Sequence, residues 1–452
     1  LLPNCEPEFL QWLKTVDCSE IKVYSIDEGT VVFPREPLLR VEGPLATCQL
    51  LETTLLTLVN FPSLVATNAA RFRIAAGFDK QLLEFGLRRA QGPDGGVSAS
   101  RFSFLGGFDG TSNVLAGKLF DLPVRGTHAH SFVQAFHGIK DIEKKRDFKD
   151  IKGKECDIVQ KVVDVRDELG FNNTNDGELA SFISYARAFP HSFLALVDTY
   201  DTLKSGVPNF LCVAVALARC GYSPVGIRLD SGDLAFLSRE SRKIFKDTAK
   251  KTGLDFSGLK IAASNDLNEA ILLSLDQQGH EIDIFGIGTH LVTCQAQPAL
   301  GCVYKLVEIE GSPRIKLSQQ VIKVTIPGRK DVYRLIGKDG TAMADVMIMV
   351  GEEQPKKGEN ILCIDPFDEI KRVIIIPHDV NKLTTCVWNG EAKVNLPSLN
   401  ESRQHVLRQL KKMREDYARP VNPTLYKVSV TQTLYRFIHE LWASEAPVPV
   451  IE

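Results

Sequence analysis

The sequence predicts an α/β protein: an irregular, incomplete β/α barrel with a second α/β-sandwich domain built from both chain ends. Three observations predict it. Between residues 82 and 295, short β-rich runs alternate with helical stretches, at the spacing of βαβ units around a parallel sheet. Polar and charged groups fall where those runs end: Arg88 and Arg89, Ser112, His130, Asp198, Arg228 and Asp230, Ser264 and Asn265, Gly288 and Thr289. In a β/α barrel, chemistry gathers at that end of the strands. On either side the texture changes to short strands broken by Gly and Pro, at 20–44 and again after Pro298. The chain thus divides into 1–81, the first part of the sandwich domain with connecting helices, 82–295, the barrel carrying the site, and 296–452, the β-rich remainder with terminal helices.

In chain order, β-rich pieces at 21–24, 30–33 and 38–42 are separated by Gly29, Pro34, Pro37 and Gly43, as strands of a small sheet would be. Residues 45–77 read as one or two helices, with Leu50, Leu51, Leu55 and Leu58 at helical spacing and Pro62 marking a break. Seven barrel strands follow, at 82–88, 105–110, 124–128, 193–199, 225–230, 259–263 and 282–286. Helices at 208–219, 233–251 and 266–277 lie between them. Seven strands, with a charged insertion at 140–154, make the barrel incomplete; a doubly wound open sheet is the alternative. Strands are then expected at 303–307, 314–317, 332–336 and 372–376, a helix at 399–413 opened by Asn400, and another at 428–443.

The bulk numbers exclude more than they select. With 54 basic and 56 acidic residues the net charge is −2, so nothing global advertises nucleic acid or an anionic membrane. The apolar stretch 210–218 ends at Arg219, well short of the ~18 residues a membrane span requires. Leu1-Leu2-Pro3-Asn4 lacks the basic lead and hydrophobic core of a signal peptide. Ten cysteines without a C-x-x-C pair read as free thiols of a reducing cytosol.

At the strand ends the residue types suit an anionic substrate. Gly286-Ile287-Gly288-Thr289 lets backbone amides approach an anion. Asn265 either caps a helix or helps hold an anion at its start. Arg228 can clamp a carboxylate or phosphate at two points. Asp230 can hold a ribose hydroxyl or a metal-bound water, whereas Asp233 reads as the cap of the next helix. The paired Arg88-Arg89, with Arg71 and Arg73 before them, add positive charge. His130 can serve as a general base, a metal ligand or a covalent phosphoryl acceptor, but no H-E-x-x-H spacing surrounds it.

Six motifs in order resemble the nicotinate phosphoribosyltransferase family, and its animal branch most: Leu87-Arg88-Arg89-Ala90-Gln91-Gly92, Gly106 through Asn113, Gly126-Thr127-His128-Ala129-His130-Ser131-Phe132, Asp198-Thr199-Tyr200-Asp201, Arg228-Leu229-Asp230-Ser231-Gly232-Asp233 and Gly286-Ile287-Gly288-Thr289. The resemblance implies a type II phosphoribosyltransferase-like barrel and a cytosolic homodimer with its active site at the subunit interface. It implies formation of nicotinate mononucleotide and pyrophosphate from nicotinate and phosphoribosyl pyrophosphate, coupled to ATP hydrolysis, with magnesium. His130, phosphorylated by ATP, and Asp230 are then the catalytic residues. Thr127 and Arg228 contact nicotinate, Thr289 the phosphoribosyl donor, and Arg88, Arg89, Ser112, Ser131, Asn265 and Gly288 complete the substrate contacts. Metal ligands are not assigned. Ser112 stands where a nicotinamide-using relative carries an aspartate, which favours the acid over the amide. The family also implies a preceding N-terminal segment, whose tyrosine stacks on the pyridine ring across the dimer. Two readings compete: a nicotinamide- or quinolinate-using relative, and a shortened inactive or regulatory subunit.

Overall fold

The computed structural model describes residues 4–142, 148–318, 320, 323–393 and 395–446. Two compact units divide the chain, one comprising residues 62–298 and the other 1–61 together with 299–452.

The 62–298 unit is built on a parallel sheet. Its strands run in the order Gly110–Thr111, Gln81–Glu84, Ile284–Ile287, Lys260–Ser264, Gly226–Leu229 and Leu194–Leu196. Val124 adds a seventh station through a single parallel bridge to Thr111. Among the described residues Val124 and the Leu194–Leu196 strand do not pair, so the barrel stays open. At that gap the Leu196 N–H donates to His128 Nε2 at 3.2 Å, so a side chain takes the place of a missing strand neighbour.

The strands are short apolar runs, Leu-Ala-Leu and Ile-Phe-Gly-Ile, buried throughout, as parallel strands covered on both faces must be. Helix Val207–Arg219 is buried along Val207–Leu217 and packs against helices Ile158–Leu169, Asp176–Ala188 and Leu234–Thr252. It follows a π-helical turn, Thr202–Gly206, which only glycine lets approach the preceding strand: a Cβ on Gly206 would lie 1.8 Å from the Val197 carbonyl oxygen.

Several expectations change in this unit. Residues 85–88 are not strand, because the strand ends at Glu84 and, after Phe85 and Gly86, a 3-10 turn forms at Leu87–Arg89. Leu105 ends helix Gly92–Leu105, opened by Pro93 at its start, and the strand there shrinks to Gly110–Thr111. Asp233 caps its helix, accepting from Phe236 N at 2.9 Å. Asn265 does not cap: helix Glu269–Gln278 is capped by Asn268. Arg71 pairs with Glu269, and the buried Arg73 donates to the carbonyls of Gly77, Lys80 and Gly107 and to Asp109. Both arginines are thus engaged by partners of their own. Of the insertion at 140–154, residues 143–147 lie outside the described residues, and Phe148–Lys149 pairs with Glu155–Cys156 as a small hairpin.

The other unit holds a six-stranded sheet, ordered Asp368–Ile375, Ile361–Asp365, Val428–Val430, Ala342–Met349, Lys330–Ile336 and Asp379–Lys382. Helix Gln432–Glu445 packs on it through Leu434 and Ile438, which meet Val332, Met347 and Val430. A second sheet pairs Lys22–Ile26 with Leu39–Glu42 on one side and Thr384–Asn389 on the other, so it draws on both chain ends.

Residues 30–33 are not a strand: side chains take their backbone groups, Gln409 accepting from Val31 N at 3.0 Å and Arg334 donating to Val31 O at 2.8 Å. Residues 303–307 and 314–317 are likewise irregular, flanking a short hairpin of Glu308–Ile309 with Ser312–Pro313. Helix Leu399–Lys412 is capped by Ser398, with a reciprocal bond from Glu401, rather than by Asn400. The expected helix at 428–443 opens as strand Val428–Val430 and becomes helix only after Thr431 caps it.

Residues 45–77 form one helix, Leu45–Ala76, that carries Pro62 inside it. The division between the units falls at that proline, not at residue 81. By length and composition this helix can cross a membrane, with a mean hydropathy of 1.3 over 18 residues of which 11% are buried. Among the described residues it is the one helix that is long and apolar enough to do so. Its second half is pinned by polar groups, Asn68 donating to the carbonyls of His290 and Leu291 at 2.9 Å each.

Candidate active site at the strand ends

Adjacent strand ends are clipped together by carboxylates. Asp198, two residues past Leu194–Leu196, accepts the Asp230 N–H at 3.1 Å and the Ser231 hydroxyl. Asp230, just past Gly226–Leu229, accepts the Ser264 hydroxyl from the next strand. The Asp198 side chain is 2% exposed, and its Oδ1 has no hydrogen-bond partner. An unmet buried oxygen of this kind costs free energy, and its direction is informative: it lies 3.8 Å from His130 Nε2.

His130 begins the short helix His130–Gln134. Its Nδ1 is 3.1 Å from the Thr199 hydroxyl, and its Nε2 is 3.5 Å from Asp230 Oδ2. One ring thus stands between a hydroxyl and two carboxylates. Arg228 lies within its strand, largely buried. Its Nη1 donates to Thr127 Oγ1 at 2.6 Å, while Nε is buried without a partner. Burial pulls the guanidinium below its usual range, with Asp230 and Asp198 opposing that pull.

His128 faces away from this cluster. Its ring meets Tyr185 edge-on at 4.8 Å and lies near Phe132 and Phe182. Burial first, then the Arg228 cation, lower it to about 4, so it is neutral at pH 7 and able to accept the Leu196 N–H.

The first strand supplies a second group of contacts. Glu84, 1% exposed, accepts from Ser100 Oγ at 2.8 Å, from Thr111 Oγ1 at 2.5 Å and from the Gly86 N–H. Ser112 hangs on the Glu84 carbonyl through its N–H at 2.9 Å, with its exposed hydroxyl at 3.3 Å. The loops after the first and last strands pass close together: a Cβ on Gly86 would be 2.9 Å from the Gly288 carbonyl oxygen. Gly288 precedes the short helix Thr289–Val292.

The geometry joins Thr127 with Arg228, and His130 with Thr199, Asp198, Asp230 and Ser264. Arg88 is exposed and adds its charge to the field at Arg228. Arg89 is exposed beside it, and Ser131 is exposed on the His130 helix. Asn265 and Asp266 have φ of +106° and +48° at a strand end, a non-glycine strain that persists where surrounding structure over-determines it. Sequence reasoning passed over Glu84, Thr199 and His128 as site-shaping groups; Thr199 and His128 lay inside motifs that drew notice, and Glu84 lay in none.

Among the described residues no group of three or more His, Cys, Asp or Glu gathers as a ready-made metal cage. Asp198 and Asp230 form the one carboxylate pair of the cluster, and the unmet Asp198 oxygen is a hard donor. This donor set fits magnesium that arrives on phosphate oxygens and keeps several waters.

The sequence matches three family models: the nicotinate phosphoribosyltransferase N-terminal domain over residues 1–60, the nicotinate phosphoribosyltransferase (NAPRTase) family over 80–343, and the corresponding C-terminal domain over 329–438. It is 55% identical to nicotinate phosphoribosyltransferase of Dictyostelium discoideum, over 99% of this chain and 77% of that protein. Against the Homo sapiens enzyme the identity is 43%, over 99% and 85% respectively. The crystal structure of human nicotinic acid phosphoribosyltransferase superposes with a TM-score of 0.85 at 41% identity, covering 98% of this chain and 86% of that one.

Proposed function

The chain belongs to the nicotinate phosphoribosyltransferase family, and from that premise we propose how its strand-end cluster performs the family's reaction. The activity is transfer of the phosphoribosyl group to nicotinate in NAD salvage, giving nicotinate mononucleotide and pyrophosphate. The pyridine nitrogen attacks the anomeric carbon as the carbon–oxygen bond to pyrophosphate breaks. No side-chain nucleophile is needed, so the protein contributes position and electrostatics.

Arg228 and Thr127, already bonded to each other at 2.6 Å, hold the nicotinate carboxylate. The buried Arg228 Nε without a partner is the single observation that carries this reading, because a second guanidinium donor stands ready for a carboxylate oxygen. Ser112 favours that same acid over an amide. Asp230 orients the ribose, while Gly288, Thr289 and the strained Asn265 face its phosphate. Arg88 and Arg89 meet the pyrophosphate, and Ser131 supports the phosphoryl group at His130. Magnesium would draw charge from the departing pyrophosphate, with Asp198 and Asp230 as its protein ligands.

ATP enters at His130. Its ring attacks the γ-phosphorus and ADP leaves; water later takes the phosphoryl group from the ring as inorganic phosphate. A dianionic group placed beside Asp198 and Asp230 repels both carboxylates and attracts Arg228, which couples phosphorylation to the shape of the substrate site. The working form is a cytosolic homodimer with the site at the subunit interface. Val114, Leu115 and Leu119, each more than half exposed, supply apolar surface for a second copy to cover.

The test is mononucleotide formation by the purified chain with nicotinate or nicotinamide, each with and without ATP, alongside His130→Ala. Nicotinate turnover that ATP enhances, with the enhancement lost in His130→Ala, is expected. Turnover with nicotinamide alone would overturn the Ser112 argument, and full ATP enhancement in His130→Ala would overturn the phosphohistidine.

A further inference from the structure

All ten cysteines are free thiols, and two of them are close. Cys156 ends the hairpin formed by Phe148–Lys149 and Glu155–Cys156. Cys220, 64 residues later, caps the C-terminal end of helix Val207–Arg219. Their sulfurs are 3.5 Å apart. A disulfide bond is about 2.05 Å long, so bonding asks for a movement of roughly 1.5 Å, within reach of side-chain rotation.

The backbone around the pair is already fastened. Ile151 N donates to the Cys220 carbonyl at 3.0 Å, the Tyr222 hydroxyl donates to the Lys149 carbonyl at 2.8 Å, and the Phe148 and Tyr222 rings lie 5.6 Å apart. Access to the two sulfurs is unequal. Both sulfurs belong to residues lining one surface groove, with Asp150, Lys154, Glu155, Asp157, Lys161 and Arg219 around them, but Cys220 is 5% exposed whereas Cys156 is half-buried. Burial, then the neighbouring Cys156, push Cys220 up to about 11. Cys220 therefore stays a thiol at neutral pH, and Cys156 is the sulfur that meets an oxidant first.

We propose that Cys156 and Cys220 form a reversible disulfide site, with Cys156 attacking a hydroperoxide and Cys220 resolving the product. In the first step the Cys156 thiolate attacks a peroxide oxygen, the O–O bond breaks, and the released hydroxide takes a proton to leave as water. Cys156 is then a sulfenic acid. In the second step the Cys220 sulfur attacks the Cys156 sulfur; the S–S bond forms, the S–O bond breaks, and hydroxide leaves with the Cys220 proton as water. Two thiols and one hydrogen peroxide become one disulfide and two waters.

The bond closes a long loop and so restricts the unfolded chain. It also joins two segments that lead away from the catalytic cluster. The hairpin lies downstream of the His130 helix, and helix Val207–Arg219 begins at the π-helical turn beside Val197, next to Asp198.

The intact chain, freed of reductant, is treated with hydrogen peroxide, then alkylated and mapped by mass spectrometry. Loss of two of the ten thiols, a mass lower by about 2 Da for the two hydrogens removed, one cross-linked Cys156–Cys220 peptide, and reversal by dithiothreitol are expected. The oxidised form melts several degrees higher. Cys220→Ala leaves Cys156 as a sulfenic acid trapped by dimedone, with no cross-link. Cys156→Ser replaces the more exposed partner, so it keeps the test valid where a change at buried Cys220 disturbs folding; it abolishes the two-thiol loss. Oxidation confined to other cysteines, or over-oxidation of Cys156 in the unaltered chain while Cys220 stays free, would overturn the proposal.

Discussion

Two arginines in this chain sit beside pairs of carboxyl groups, one in each unit, and they differ in how far their charges are engaged. Arg334 donates to both oxygens of Asp345 at 2.9 and 2.7 Å and to the Val31 carbonyl. Asp345, fully buried, also accepts the Tyr426 hydroxyl at 3.0 Å, and the Tyr426 ring stacks on Phe33. Only Glu36 is left over, and burial followed by the nearness of Asp345 pushes its carboxyl up to about 10, so it carries no charge at pH 7. Arg228 engages Thr127 and leaves Nε unmet; Asp198 leaves Oδ1 unmet; His130 stands 3.5 and 3.8 Å from two carboxylates, beyond hydrogen-bond length. Unmet buried groups cost on the order of 1–3 kcal/mol each. The closed network holds residues 31–36 against the sheet. The open one keeps donors and acceptors available for a ligand.

The largest expected effect comes from opening the closed network. Arg334→Leu breaks a buried ion pair with Asp345 and should cost about 3–5 kcal/mol in urea unfolding; a loss below about 1 kcal/mol would mean that the pair contributes no more than a surface one. In the open network the effect moves from stability to turnover. Arg228→Gln should lower kcat/KM for nicotinate at least about 30-fold, or 2 kcal/mol, with an unfolding midpoint close to that of the unaltered chain. Equal losses in stability and turnover would erase the contrast between the two sites.

His128 tests the seam of the barrel. His128→Leu strands the Leu196 N–H and should cost roughly 1–3 kcal/mol, whereas His128→Gln keeps an acceptor and should recover most of it. The sign of the pH dependence follows from the lowered value. The fold prefers neutral His128, so its contribution is complete above the ordinary value of 6.5 and is lost as pH falls toward about 4. The unaltered chain should therefore lose more stability than His128→Gln across that window in pH-dependent melting. The smallest effect is expected of Ser264→Ala. Asp230 is about one-third exposed, so water replaces the lost hydroxyl and stability should change by less than about 1 kcal/mol; a larger loss would make Asp230 part of a closed network after all.

What was legible in the sequence follows from the range of the forces involved. Turn-forming residues at strand ends, such as Arg228-Leu229-Asp230-Ser231-Gly232-Asp233, carry local signals, and Asp233 caps its helix because capping is settled within three residues. Glu84 gave no signal, since its partners Ser100 and Thr111 are 16 and 27 residues away. Val31-Val32-Phe33 reads as strand by β-branching, yet Gln409 and Arg334, more than 300 residues downstream, take the Val31 backbone groups. Strands of two or three residues, such as Gly110–Thr111, are set by the sheet around them rather than by propensity. Asn265, with its positive φ, stays open in the sequence between a helix cap and an anion contact because Asn suits both, and only the chain path removes the cap.

The pairing of Lys22–Ile26 with Thr384–Asn389 has a consequence for synthesis on the ribosome. Residue 384 is made 358 residues after residue 26, a delay of roughly 20–70 s at about 5–20 residues per second. Residues 62–298 emerge within that interval, so the barrel can complete itself while the first two strands still lack an edge partner. For that time the leading strands present open backbone donors and acceptors to other nascent chains. A ribosome stalled before residue 384 should hold a barrel that resists protease, joined to a leading segment that does not.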